Sequence, residues 1–128
     1  MPNTAIPARD IGAQVVHHVS KRITFNDGTV TLGTIPAGAL VISAGVAIVT
    51  AFNAASTNVI DIGTSADPDG FATDLAAGTV GLIVWDELAT SNDVYQTADT
   101  TIVASYAQTG TAATAGVGYA FVTYIMIG

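Results

Sequence analysis

The sequence predicts an all-β fold: a single-domain antiparallel β-sandwich or jelly roll of seven or eight strands, preceded by an extended N-terminal arm. Three observations predict it. Apolar and polar residues alternate at a period of two over several short segments, which places successive side chains on opposite faces of a strand. Turn chemistry (Asp-Gly, Pro-Ala-Gly, Asn/Asp/Ser clusters) separates these segments at the short intervals of a sandwich or small barrel. No segment sustains a 3.6-residue apolar period with caps, so nothing helical is expected beyond one turn near residues 71–77. At 128 residues the chain has room for one domain, with residues 1–13 as the arm and residues 14–128 as the body.

The elements follow in order. Residues 1–13 (MPNTAIPARDIGA) hold two prolines and a glycine without periodicity, which reads as extended chain. Residues 14–25 alternate, with Val15, His17, Val19, Lys21, Ile23 and Phe25 on one face. Asn26-Asp27-Gly28 is a hairpin-turn signal, and residues 29–35 (TVTLGTI) alternate again. Pro36-Ala37-Gly38 turns the chain into the long run 39–52, a loop spans 53–56, and 57–63 (TNVIDIG) is a short strand. Residues 64–74 (TSADPDGFATD) are the most irregular part of the body. Strand signals return at 79–85, weakly at 94–97, and strongly at 100–107 and 116–126. Two stretches, 35–52 and 112–128, are uncharged and near the length of a membrane span. Their Val, Ile, Thr and aromatic content, with several glycines, instead predicts strands buried on two apolar faces.

Half of the residues are hydrophobic and only 10% are charged, against roughly 25% in soluble domains. A surface so poor in charge suits burial against neighbouring subunits. The net charge of −7 excludes a nucleic-acid ligand, which needs a basic footprint to neutralise phosphates. The three bases, Arg9, Lys21 and Arg22, lie in the first 22 residues, while nine of the ten acids lie from Asp27 onward. A basic leading segment can dock on an acidic neighbour or on a copy of the body, so the arm, with Pro2, Ile6, Pro7 and Arg9, is the expected partner-binding element. Absence of cysteine removes disulfides, thiolate metal sites and Cys nucleophiles, and fits a reducing cytoplasm. The first ten residues lack the basic and apolar regions of a secretory signal.

Few residues suggest chemistry. His17 and His18 are neighbours on a strand, so their rings point to opposite faces and do not converge on one metal. Ser20, two positions beyond His18, lacks an orienting third group, and no G-x-S-x-G elbow occurs. Asp67, Asp69 and Asp74 are the best candidates for a calcium site, but the same Asp, Pro and Gly residues are what a surface turn requires, and the turn is the favoured reading. Asp86-Glu87 would cap a solvated loop. Trp85, Tyr95, Tyr106, Tyr119 and Tyr124 would form a glycan platform only if they converged; core or interface anchoring is the expected role. No catalytic residue, metal ligand or cofactor is therefore assigned, and the chain is not expected to be an enzyme.

The segments TVTLGTIPAGA (29–39), VTAFN (49–53), IGTSADPDGF (62–71) and GVGYAFVTY (116–124) resemble small virion structural proteins of tailed phages, in particular capsid decoration (cement) proteins. The resemblance spans about two thirds of the chain and contains no site motif. It implies a sandwich or jelly roll that sits on the outer surface of the capsid, contacts the major capsid protein and forms a homotrimer. Some proteins of similar appearance belong to tails or fibres, so the alternative it leaves open is a carbohydrate-binding module for host recognition.

Overall fold

A computed structural model describes residues 15–85 and 94–127. Eight strands run through them: β1 (His17–Thr24), β2 (Thr29–Ile35), β3 (Ala39–Thr50), β4 (Thr57–Thr64), β5 (Ala72–Ala76), β6 (Gly81–Val84), β7 (Thr100–Thr109) and β8 (Val117–Met126). The described residues contain no helix. Sheet I has the order β1-β8-β3-β6 and sheet II the order β2-β7-β4-β5. Strand pairs β1/β8, β2/β7, β3/β6 and β4/β5 are all antiparallel. The chain is thus one long hairpin, closed at β4–β5, whose paired arms are rolled alternately into two facing sheets. That is a jelly roll.

The core lies between the sheets. Ile23, Val46, Ile48, Ala120 and Val122 face it from sheet I, and Ile60, Ile62, Leu75, Ile102 and Tyr106 from sheet II. Phe52 and Phe71, both fully buried, plug it from loops. Each Val, Ile, Leu and Phe side chain among them contributes about 1.5–3 kcal/mol by leaving water. Among the described residues no helix is long and apolar enough to cross a membrane. The two long apolar runs are instead β3 and β8, paired side by side in the middle of sheet I.

Three local expectations are corrected. Asn26-Asp27-Gly28 does turn the chain, with Thr24 N donating to the Asp27 carboxylate at 2.8 Å and Gly28 at φ 65°. It is not a hairpin, because β1 and β2 lie in opposite sheets. β1 pairs with β8 over its whole length, and Gly28 O accepts from Tyr106 N at 2.7 Å, which anchors the turn to sheet II. Residues 72–76 form strand β5 rather than a helical turn. Ala72 faces Ile62 and Leu75 faces Ile60, so a bulge inserts one extra residue, with Asp74 nearby at φ 55°. The bulge puts two buried residues three apart and so imitates a helical period. At 94–97 only one bridge forms, between Tyr95 and Leu40 of β3.

Candidate interaction surface

The two outer faces differ. On sheet II, Thr29 and Ser105 hydroxyls lie 3.1 Å apart and those of Thr57 and Thr109 2.7 Å apart, cross-strand pairs that tie neighbouring strands through hydroxyl groups. Asp61 and Asp74 also lie on this sheet. On sheet I, neither β3, β6 nor β8 carries a charged residue. Register aligns Arg22, Tyr119, Ala47 and Leu82 in one row across its outer face, and Ser20, Phe121, Gly45 and Val84 in the next. Tyr119, Leu82 and Val84 are exposed. The expectation that both apolar runs are buried on two faces is therefore met on one face only: the fold covers the inner side and leaves Ile42, Val49 and Tyr119 open on the other.

The histidines diverge as their spacing requires. His17 stacks on Tyr124 at 5.4 Å between ring centres, and its Nε2 is buried with no hydrogen-bond partner. His18 is exposed, opposite Thr123 on the outer face. Ser20 shares that face, but neither β1 nor the adjoining β8 supplies a carboxylate to orient a histidine.

The aspartate-rich segment is a closed turn. Asp67 O accepts from Thr64 N at 3.0 Å and from Gly70 N at 2.9 Å, while Asp67 N donates to the Thr64 hydroxyl at 2.9 Å. Gly63 is required beneath it: a Cβ there would collide with the Asp67 carbonyl oxygen and lie 2.6 Å from Gly70 N. Asp74 N donates to Asp61 Oδ1 at 2.6 Å. Partial burial pushes the Asp61 carboxyl above its usual pKa; the Asp74 hydrogen bond opposes this, and the charges of Asp74 and Asp69 add to it. Asp74 thus meets Asp61, which lies in another strand and which the sequence did not single out. Among the described residues no three His, Asp or Glu side chains gather as a metal-binding group.

The aromatic residues do not form one platform. Tyr106 packs in the core 4.5 Å from Phe52, Tyr124 and Trp85 pack partly against the core, and only Tyr95 and Tyr119 are exposed. Tyr95 pairs with Leu40 and Tyr119 with Ala47, a separation along β3 of roughly 20 Å. The arm residues Pro2, Ile6, Pro7 and Arg9, and the pair Asp86-Glu87, lie outside the described residues.

No family model matches the sequence, and no curated protein matches it. Solved structures do match. A chain from the capsid asymmetric unit of cyanophage Pam1 superimposes with a TM-score of 0.64 at 15% identity, over 87% of this chain and 84% of that one. A chain from the acidic stable capsid structure of the Helicobacter pylori bacteriophage KHP30 gives a TM-score of 0.68 at 20% identity, over 89% and 90%. At such identities the likeness establishes a shared fold.

Proposed function

We propose that this chain is a structural protein of a phage virion, a decoration (cement) protein that binds the outer surface of the capsid and strengthens it by contact rather than catalysis. The observation that carries the reading is the jelly roll held in common, over most of both chains, with components of two phage capsid structures. The surface chemistry agrees with it. A broad face whose strands β3, β6 and β8 carry no charge suits permanent contact with protein, and a net charge of −7 disfavours the side of a shell that faces packaged nucleic acid. In this reading copies assemble as a homotrimer and each contacts the major capsid protein, with the arm, through Pro2, Ile6, Pro7 and Arg9, adding an extended segment to a neighbouring sheet edge. Several weak contacts made at once act as one strong one, because each later contact is effectively intramolecular.

The alternative, a tail or fibre carbohydrate-binding module, has less support, since the two exposed tyrosines stand too far apart to hold one sugar face. The test is the copy number of the protein on purified particles, by denaturing gel and electron cryo-microscopy, with the gene intact, deleted, or lacking codons 2–13. Hundreds of copies, lost on truncation of the arm while the β body stays folded, are expected. A handful of copies at the tail refutes decoration, and full occupancy by the truncated chain refutes the role of the arm.

A further inference from the structure

We infer that the outer face of sheet I is the surface through which copies of this chain associate with one another. The inference goes beyond the homotrimer proposed above: an isologous contact is two-fold, so it joins copies across trimers rather than within one.

Its relief is ridge, groove, ridge. Tyr119 and Phe121 stand on β8, Ala47 and Gly45 line β3, and Leu82 and Val84 stand on β6. The tip of the Phe121 ring covers Gly45, where an added Cβ would lie 2.9 Å from Cζ, so Ala47 is the open floor of the groove. The two ridges are two strand spacings apart, about 9.6 Å, which admits one ridge of a facing sheet. A second copy turned about an axis parallel to the strands offers its own β8 ridge to this groove and receives the first in return. Tyr119 of each copy then sits over Ala47 of the other, and Leu82 lies over the aliphatic stem of Arg22. The surface is self-complementary, as an isologous contact requires.

Charge selects the occupant. Each copy carries a net charge of −7, so two copies repel unless they touch where neither carries acid. Among the described residues the acids borne on strands, Asp61 and Asp74, lie on the other sheet, and β3, β6 and β8 have no charged residue. Arg22, at the β1 margin, is the charge this face does carry, and a cation beside a neighbour of net charge −7 attracts a second copy rather than repelling it.

The area is adequate. Leu82 is 67% exposed, Val49 53%, Val84 47% and Tyr119 45%. These four expose roughly 400 Å², about half of what one partner buries in a stable interface of standard size, before Ala47, Phe121 and Ile42 are counted.

The experiment is sedimentation velocity of the purified full chain from about 1 to 100 µM. Wild-type protein should associate with rising concentration. Leu82→Asp and Tyr119→Asp should weaken association about tenfold or more, while Thr31→Asp on sheet II should leave it unchanged. A wild-type chain that stays monomeric throughout overturns the inference, as does association that survives both face substitutions or falls equally with Thr31→Asp. If an aspartate variant fails to fold, Leu82→Cys carrying a spin label replaces it, since the chain has no other cysteine. Intermolecular distances below about 20 Å are expected, given sheets stacked about 10 Å apart, and their absence overturns the assignment. Sedimentation uses no capsid, so loss of shell binding with association intact would refute decoration and leave this face assignment standing.

Discussion

Replacing Asn58 with alanine removes three hydrogen bonds that fasten one end of the sandwich. Asn58 Oδ1 accepts from Ala54 N at 2.8 Å and from the Tyr106 hydroxyl at 2.5 Å, and Nδ2 donates to Ala54 O at 3.1 Å. Ala54 and Tyr106 are both buried, so water does not freely take the place of the amide. Burial also holds the Tyr106 phenol above its usual pKa, which keeps it a donor. The phenol retains a long contact to Gln108 Oε1 at 3.5 Å, so the main loss falls on Ala54. An orphaned buried group costs about 1–3 kcal/mol, and with the two other bonds the sum for Asn58→Ala is about 2–4 kcal/mol. For a domain of this size that lowers Tm by roughly 8–16 °C. Tyr106→Phe keeps the ring against Phe52 and loses only the hydroxyl, about 1 kcal/mol. Because both variants break the same Tyr106–Asn58 bond, the double variant should cost about 1 kcal/mol less than the two singles added together. Urea titration followed by circular dichroism measures all three. A loss below about 0.5 kcal/mol for Asn58→Ala, or strict additivity in the cycle, refutes the argument.

Two further outcomes follow from the turn and the acids beneath it. Gly63→Ala places a methyl group against the backbone of Asp67, Pro68 and Gly70, so the whole 64–70 turn has to shift; a loss of about 1–3 kcal/mol is expected by thermal melting, and an unchanged Tm refutes the packing described. Asp61→Asn keeps an acceptor for Asp74 N while removing a carboxylate that burial disfavours. The folded chain binds the Asp61 proton more tightly than the unfolded chain, so this stabilisation is present at pH values below the unfolded pKa and is lost as pH rises through the folded one. Asp61→Asn should therefore match or exceed wild type in Tm at pH 7 and show a smaller rise on acidification toward about pH 4; a variant less stable at pH 7, with the same acid response, contradicts this.

Much of the strand content was legible because strand periodicity is local. Five of the eight strands lie within segments whose alternation or apolar run announced them, and β4 and β7 run one and two residues past theirs. β5 escaped because a bulge spaces Ala72 and Leu75 three apart, and a single sequence cannot distinguish that from one turn of helix. The turn at Asp27-Gly28 was legible as a turn and misleading as a hairpin. Local chemistry reverses the chain, but the choice of partner belongs to β8, almost a hundred residues away. The divergence of His17 and His18 was legible from adjacency alone, whereas the meeting of Asp61 with Asp74 required the pairing of β4 with β5. The candidate interaction surface was half legible: the charge-free runs were evident, but not that only one of their faces would be covered.

By itself the sequence determined the fold class, the places where the chain turns and the poverty of charge, because alternation, turn sterics and composition are properties of neighbouring residues. Only the tertiary structure decided which strands lie side by side, which face of β3 and β8 meets the core, and that Tyr119, Ala47 and Leu82 share one row. The physical reason is that a strand satisfies its backbone hydrogen bonds equally well with many partners. The selection is made by the joint packing of two whole sheets over one core, which no single segment contains.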